Sequence, residues 1–381
     1  MSDEKYLDLI LSAIENAKNE AECNVYNWRD TLKKKNVCAF GLGKFFDDTH
    51  ERLFKMCDVK YLCDNDHYKV HHFSEIEKFQ KMGIKCIYPH QLKEINDIFV
   101  IAVVGNYEPI RKQMEQIGID SIHITEMHFK DYSKGIGNGW LTAALPQIKE
   151  ALSLLSDEKS KEVFTSVFCN KISRKKSISS YEELFSEGEY FKTGIFTLSE
   201  TESFVDAGAF IGDTIDDFIK VTNANFKDIY SFELDSGNYK KLMENVNALD
   251  ANVKDRIHLY NYGVWAENTE MWCAYEGDAD GCSIVNDQRG ERCTLISLDD
   301  LLSEKEITII KMDIEGAENK ALEGTKKIIE NQKPKLAICV YHRPEDLWEI
   351  PLKIKELHND YRIFLRHHSK QNYTNTVCYA Y

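Results

Sequence analysis

The sequence lacks any apolar run long enough to cross a bilayer, and it lacks an excess of basic residues. Its longest apolar run covers residues 98–104, whereas a membrane-spanning helix needs about 20 apolar residues. The 48 Lys and Arg residues are outnumbered by 63 Asp and Glu residues, for a net charge of −15. Because so acidic a surface repels phosphate groups, we expect neither nucleic acid as a partner nor insertion into a membrane.

The eleven cysteines include no Cys-x-x-Cys pair. Without paired ligand spacing a zinc cluster is not expected, and scattered cysteines in a chain this long do not indicate a disulfide framework. Reduced thiols are typical of the cytoplasm. The first residues, Met-Ser-Asp-Glu-Lys, also lack the basic and then apolar order of a signal peptide. We therefore expect a cytoplasmic protein.

Strand and helix signals alternate in two stretches of the chain, which predicts an α/β protein with two three-layer domains built on parallel sheets. We place an N-terminal helix at 1–31, a first domain at 32–130, a helical linker at 131–190 and a second domain at 191–381. In the second domain we expect helices at 213–220, 236–248, 317–330 and 344–358. The two β-rich runs that close the chain predict an antiparallel hairpin at a sheet edge.

The strongest candidate site is a glycine-rich turn between a strand and a helix of the second domain. It contains Asp206, Gly208, Gly212 and Asp213. Glycines let the backbone approach a ligand, and the start of a helix offers unpaired N–H groups. The turn departs from the G-x-G-x-x-G pattern of dinucleotide sites, and its carboxylates would repel a pyrophosphate but suit a cationic amino group.

Glu233 ends the next predicted strand. An acid at this position can accept hydrogen bonds from both hydroxyls of a ribose. Together with the acidic glycine turn, this pattern fits a nucleoside that carries an amino acid and no phosphate. S-adenosylmethionine is such a molecule.

Two further strands of the second domain end in residues that can carry chemistry. The run Ile-Ile-Lys-Met leads into Asp313, Glu315 and Glu318, and the next strand leads into His342. A histidine at a strand end has a suitable pKa for a general base, and Asp313 on the neighbouring strand could orient it. Alternatively, the three acids could hold a divalent cation that lowers the pKa of a hydroxyl, a route that we favour less.

Over residues 186–381 these motifs resemble the FkbM-type S-adenosylmethionine-dependent methyltransferases, which have the class I methyltransferase fold. The matching stretches include Phe-Val-Asp206-Ala-Gly208, Lys-Met-Asp313-Ile-Glu-Gly-Ala-Glu and Tyr-His342-Arg-Pro-Glu-Asp. The resemblance implies that Asp313 and His342 lie near the transferred methyl group. It implies cofactor contacts from Asp206, Gly208, Gly212, Asp213, Glu233 and Asp313. For the acceptor we single out Tyr190, Glu315, Tyr341 and Arg343.

The first domain resembles, more weakly, the small Rossmann-like domains of sugar-modifying and capsule-biosynthesis proteins. It contains Gly41 and Gly43, but Phe46 stands where a dinucleotide motif has its third glycine. Taken together, the two resemblances imply methyl transfer to a sugar hydroxyl of a glycan or glycan precursor. The protein could also form a homo-oligomer. The alternatives are a NAD-dependent nucleotide-sugar oxidoreductase or epimerase, and a non-catalytic cofactor-binding module of a polysaccharide-synthesis complex.

Overall fold

The structure is a computed structural model, and it describes residues 3–22, 32–104, 107–123, 140–172, 179–274, 283–285, 291–370 and 374–381. The chain divides into two compact units. The smaller unit comprises residues 12–143 and 370–372, and the larger unit comprises residues 1–11, 144–369 and 373–381. The domain boundaries placed from the sequence stay a prediction.

The smaller unit contains a five-stranded sheet in the order β3-β2-β1-β4-β5, and all its strand pairs are parallel. Along β1, Val37 and Ala39 pack into one buried apolar cluster, whereas Cys38 and Phe40 pack into another. Both faces of the sheet are therefore covered, as parallel sheets require. The strands are β1 (Asn36–Phe40), β2 (Val59–Cys63), β3 (Lys85–Ile87), β4 (Ile98–Ala102) and β5 (Ser121–His123).

The glycine turn of the smaller unit follows β1. Gly41 has a φ of +108°, and a Cβ at this position would lie 2.2 Å from a methyl carbon of Val104. The next backbone N–H, that of Leu42, donates to the carboxylate of Asp64 at the end of β2. Phe46 is fully buried in the apolar core. The place of a third glycine is therefore taken by a core side chain.

The larger unit is built on a seven-stranded sheet in the order β15-β16-β14-β13-β6-β7-β8. Strand β16 runs antiparallel to both of its neighbours, and the other pairs are parallel. This confirms the predicted α/β fold with a closing hairpin at a sheet edge. The strands are β6 (Ser203–Ala207), β7 (Asp228–Phe232), β8 (Ile257–Tyr260), β13 (Ile309–Met312), β14 (Lys335–Cys339), β15 (Ile363–His367) and β16 (Thr376–Ala380).

A second sheet of the larger unit was not predicted. Its four strands have the order β11-β10-β12-β9 and follow directly after β8. They are β9 (Gly263–Val264), β10 (Thr269–Ala274), β11 (Ser283–Val285) and β12 (Glu291–Ile296).

The described helices agree with the expected positions in most places. The exception is the helix predicted at 317–330, because the structure has two helices there, separated by a turn at Gly324. A Cβ at Gly324 would lie 2.0 Å from the carbonyl oxygen of Trp265, so the chain passes too close to Trp265 for a side chain at this position. The helices are α1 (Glu4–Glu22), α2 (Lys44–Met56), α3 (His67–Ser74), α4 (Glu77–Lys81), α5 (Glu108–Ile117), α6 (Trp140–Leu154), α7 (Glu158–Ile172), α8 (Tyr181–Leu184), α9 (Asp213–Thr222), α10 (Ser236–Asn247), α11 (Ala251–Lys254), α12 (Leu298–Leu302), α13 (Glu318–Glu323), α14 (Lys326–Gln332) and α15 (Asp346–Leu357). Within the described ranges, no helix is long and apolar enough to cross a bilayer.

Helix α7 lies in the stretch predicted as a linker, and it packs on the edge strand β15. The hydroxyl of Ser160 accepts the N–H of Leu365, and the carboxylate of Asp157 binds the guanidinium of Arg366 at 2.6 Å. Both contacts belong to the larger unit.

The strand order of the large sheet reverses at β6. From this strand the chain continues to β7 and β8 on one side, and β13 and β14 pair on the other side. Ligands of open α/β sheets bind outside the carboxyl ends of the strands at such a switch point. Because Ala207 is in register with Met312, the residues that follow them, Gly208 and Asp313, are brought together there.

Candidate active site

A cavity of about 340 Å³ opens at this switch point. Tyr190 and Tyr341 contribute aromatic surface, and Ile284 of the second sheet contributes apolar surface. Lys311 is the one cation among the described lining residues. Five carboxylates line the cavity: Glu189, Asp213, Glu233, Asp313 and Glu315.

The turn after β6 brings backbone to the wall of the cavity. Gly208 has a φ of +82°, and a Cβ there would lie 1.8 Å from the carbonyl oxygen of Asp313. Only glycine fits both the conformation and the space. The N–H groups of Gly208 and Ala209 donate to the carbonyl of Phe232, which ties the turn to β7. Gly212, with a φ of +96°, then starts helix α9 at Asp213.

Asp206 and Lys311 form a buried ion pair beneath the turn. Their side chains are 0% and 2% exposed, and Lys311 Nζ lies 3.0 Å from Asp206 Oδ1. The same ammonium donates to the carbonyl of Gly208 at 2.6 Å. Burial raises the pKa of Asp206 to about 6, although Lys311 opposes the shift. Burial also lowers the pKa of Lys311, but Asp206 and Asp313 outweigh it and hold that pKa above its usual range.

Glu233 follows β7 and faces the cavity with a carboxylate fixed by the backbone. Its Oε2 accepts the N–H of Phe210, and its Oε1 accepts the N–H of Asp235, both at 2.8 Å. Burial raises the pKa of Glu233 to about 7 against these two hydrogen bonds. Each oxygen keeps a further lone pair, so the carboxylate can still accept two hydroxyl groups.

Asp313 follows β13 and is held by two tyrosines. Tyr190 donates its hydroxyl to Oδ2 at 3.1 Å, and Tyr341 donates its hydroxyl to Oδ1 at 2.8 Å. Burial would raise the pKa of Asp313, but His342, Lys311 and the Tyr341 hydrogen bond outweigh it and lower that pKa. Asp313 is therefore an ionised carboxylate in a fixed orientation.

His342 lies between three carboxylates. Its Nδ1 contacts Oε1 of Glu318 at 2.8 Å, and its Nε2 lies 3.3 Å from Asp313 and 3.8 Å from Glu315. Burial would lower the pKa of His342, but Glu318, Asp313 and Glu315 outweigh it and raise that pKa to about 9. The imidazole is thus protonated at neutral pH. Donor atoms of Asp313, Glu318 and His342 lie within 4.8 Å of one another, a set that could hold a metal ion.

Comparison with protein families identifies the region that carries this cavity. Residues 206–373 match the model of the methyltransferase FkbM domain. These residues are similar to an FkbM methyltransferase domain, and they are called the FkbM domain below. Among curated proteins, no sequence matches the chain significantly.

One solved structure shares the fold of this chain over its full length, and others are similar over about half of it with low TM-scores. A crystal structure of a methyltransferase FkbM from Methylobacillus flagellatus KT matches with a TM-score of 0.73, 23% identity and coverage of 100% of both chains. An rRNA methylase from Streptococcus thermophilus matches 48% of this chain and 87% of its own, with a TM-score of 0.31 and 16% identity. A SAM-dependent methyltransferase from Aquifex aeolicus matches 48% and 84%, with a TM-score of 0.29 and 13% identity.

Most cofactor residues predicted for the FkbM domain meet at the cavity. Gly208, Asp213, Glu233 and Asp313 line it. Asp206 is not a lining residue, because its carboxylate is buried against Lys311. Gly212 is not a lining residue either, and it shapes the turn from behind, next to Leu242. The binding roles of these residues stay predictions.

Three of the four predicted acceptor residues also line the cavity of the FkbM domain. They are Tyr190, Glu315 and Tyr341. Arg343 is not a lining residue. Its backbone N–H donates to Asp346, and its side chain lies beside Gly316, where a Cβ would be 3.0 Å from Nε. Arg343 is therefore placed to hold the turn after Asp313.

The lining residues that the sequence did not single out include Lys311, Glu189 and Asn375. Lys311 has a local signal, because a lysine inside the apolar strand Ile309–Met312 must find a buried partner. Glu189 belongs to the stretch Glu-Tyr-Phe that resembles the family, but it was assigned no role. Asn375 has no local signal, since it lies in a loop far from Glu189 in the chain. The amide of Asn375 donates to Glu189 at 3.4 Å, and burial with the nearby charge of Asp313 raises the pKa of Glu189 to about 7.

Proposed function

We propose that the FkbM domain transfers a methyl group from S-adenosylmethionine to a hydroxyl group, and that this hydroxyl belongs to a sugar of a glycan or glycan precursor. The observation that carries the proposal is the placement of Glu233 and Asp313 in one cavity at the switch point. The ribose would bind Glu233, the methionine part would follow the Gly208 turn, and the methyl group would point toward Asp313.

The charge of the cavity supports this ligand. Among the lining residues that the structure describes, five carboxylates are opposed by one ammonium, that of Lys311, which is already paired with Asp206. S-adenosylmethionine carries a sulfonium and an ammonium against one carboxylate, so its net charge complements the cavity. A pyrophosphate would meet several carboxylates at the same wall.

In the proposed reaction the bond between methyl carbon and sulfur breaks as the bond between methyl carbon and acceptor oxygen forms. S-adenosylhomocysteine would leave, and the hydroxyl proton would pass to His342 once this imidazole has released its own proton to solvent. The sulfonium methyl is already activated, so the domain mainly aligns oxygen, carbon and sulfur. Asp313 and His342 are the proposed catalytic residues at the acceptor oxygen. Because His342 holds a proton at neutral pH, it can accept another only after releasing its own.

A transfer assay with isotope-labelled S-adenosylmethionine and a panel of neutral glycans tests the proposal. We expect labelled glycan with the wild-type chain and a loss of about 10²-fold or more in turnover with His342→Ala. His71→Ala, at a side chain that is 70% exposed, is the matched control and should keep full turnover. Near-normal turnover of His342→Ala would remove this residue from the mechanism. Binding of the cofactor product without turnover on any acceptor would favour the non-catalytic module.

A further inference from the structure

The carboxylates around His342 include a buried oxygen that has no hydrogen-bond partner among the described residues. Glu318 is fully buried, and its Oε1 accepts both the N–H of Ile314 and the contact from His342 Nδ1. Its Oε2 is also buried but has no hydrogen-bond partner among the described residues. A carboxylate oxygen left in this state is costly, and a bound ion is one of the few ways to satisfy it.

We propose that Asp313, Glu318 and His342 bind a divalent transition-metal ion at the acceptor end of the cavity. The cluster has three donors from three separate segments: the end of β13, the start of α13 and the loop after β14. The ion would supply the missing partner of Glu318 and offset the carboxylates that surround one imidazole.

The spacing of the donors fits an ion with a small adjustment. One donor atom from each residue lies within 4.8 Å of the others. In an octahedral site, ligand distances of about 2.1 Å place opposite ligands about 4.2 Å apart and adjacent ligands about 3.0 Å apart. The observed 3.3 Å between His342 Nε2 and Asp313 Oδ1 is already close to the second value. Glu315, 3.8 Å from the same nitrogen, is near enough to join as a further ligand.

The donor types indicate which ions suit the cluster. Imidazole nitrogen is preferred by zinc, iron and other transition metals, whereas carboxylates also suit manganese and magnesium. A mixed set of one imidazole and two or three carboxylates therefore favours Mn²⁺, Fe²⁺ or Zn²⁺ over Ca²⁺, which takes only oxygen ligands.

The consequence for catalysis rests on the proposed function. An ion at the acceptor end would bind the acceptor hydroxyl and lower its pKa, so that the proton leaves to bulk water before methyl transfer. On binding the ion, His342 would release its own proton to solvent, and it would then act by holding the ion. The ion site itself can be tested without an acceptor.

The experiment is a titration of the chelator-treated full chain with Mn²⁺, monitored by electron paramagnetic resonance. The sharp signal of free Mn²⁺ decreases as the ion binds to the protein, so its intensity gives the concentration of unbound ion. We expect one equivalent to bind, and Glu318→Gln to weaken binding by tenfold or more. Glu323→Gln, an exposed acid of the same helix that pairs with Lys320, is the matched control and should bind as the wild type does.

Circular dichroism and a titration with S-adenosylhomocysteine show that each variant is folded. Absence of Mn²⁺ binding at millimolar concentration, or equal affinity in wild type and Glu318→Gln, would overturn the ion site. Cofactor-product binding without Mn²⁺ binding would refute the ion site alone. Mn²⁺ binding without cofactor-product binding would refute the proposed function alone.

Discussion

Replacing Lys311 with methionine should destabilise the larger unit, because it leaves the buried carboxylate of Asp206 without its opposing charge. The two side chains are 0% and 2% exposed, with 3.0 Å between Nζ and Oδ1. Breaking a buried ion pair by removing one partner costs about 3–5 kcal/mol. The variant also loses the hydrogen bond from Nζ to the carbonyl of Gly208, so we expect weaker binding at the turn as well.

The destabilisation should depend on pH. Burial already raises the pKa of Asp206 to about 6 with Lys311 in place, and without the ammonium this pKa should rise further. A carboxyl whose pKa is raised in the native state binds more protons there than in the unfolded chain, so its contribution to stability falls as pH rises. Above about pH 6 the variant should therefore lose stability more steeply than the wild type, by up to about 1.4 kcal/mol per pH unit.

Equilibrium urea unfolding of the full chain, followed by circular dichroism near pH 6 and pH 8, measures both effects. The double variant Asp206→Asn with Lys311→Met should recover part of the loss, because it buries no unpaired charge. Lys326→Met is the matched control, since this lysine is exposed and pairs with Glu330 at 3.6 Å, and it should change little. A Lys311→Met protein with wild-type stability at both pH values would show that the ion pair of Asp206 and Lys311 does not stabilise the larger unit.

Three further substitutions or conditions probe the cavity. Gly208→Ala should weaken binding of S-adenosylhomocysteine by more than tenfold, because the new Cβ would lie 1.8 Å from the carbonyl oxygen of Asp313. The control Gly194→Ala, at a glycine with a positive φ but no atom within 4 Å of the new Cβ, should bind as the wild type does. Equal calorimetric affinities of the two variants would contradict this prediction. Tyr341→Phe removes a hydrogen bond to the carboxylate of Asp313, and such a bond contributes about 1.5–3 kcal/mol. We therefore expect turnover in the transfer assay to fall about tenfold or more, and unchanged turnover would exclude a role for the Tyr341 hydroxyl. Because burial raises the pKa of Glu233 to about 7, the affinity for S-adenosylhomocysteine should fall about tenfold from pH 8 to pH 6 as this carboxylate takes a proton. A Glu233→Gln protein should show no such pH dependence, and a pH profile identical to that of the wild type would exclude Glu233 as its cause.

The parts of the fold that the sequence predicts well are those with a local pattern. The strands predicted to precede the glycine turn, Glu233, Asp313 and His342 are present as β6, β7, β13 and β14, because each is a short buried run bounded by polar residues. The sheet formed by β9 to β12 was missed for two reasons. Strands β9 and β11 have only two and three residues, and the six-residue strands β10 and β12 mix polar and apolar residues without a buried apolar run. The single predicted helix at 317–330 was wrong, because the close approach of Gly324 to Trp265 is a tertiary contact with no local signal.

The candidate site divides in the same way. Gly208 and Asp313 could be placed together from the sequence, because residues that follow parallel strands meet at one edge of a sheet. Asp206 was expected beside the ligand, but the structure buries it against Lys311, a pairing across two strands. The contact of Asn375 with Glu189 joins loops that no sequence pattern connects. The side chains that pair with the acids of the site through contacts distant in the sequence were therefore harder to predict than residues that directly follow a predicted strand.

S-adenosylmethionine as the cofactor is tested by a calorimetric titration of S-adenosylhomocysteine into the purified chain, with Glu233→Ala and an NAD titration alongside. We expect micromolar binding to the wild type and no binding of NAD. In the variant we expect an affinity at least tenfold weaker, because hydrogen bonds to a charged group contribute about 1.5–3 kcal/mol. Absence of S-adenosylhomocysteine binding to the wild type would exclude S-adenosylmethionine as the cofactor, and NAD binding in its place would move the chemistry to the smaller unit.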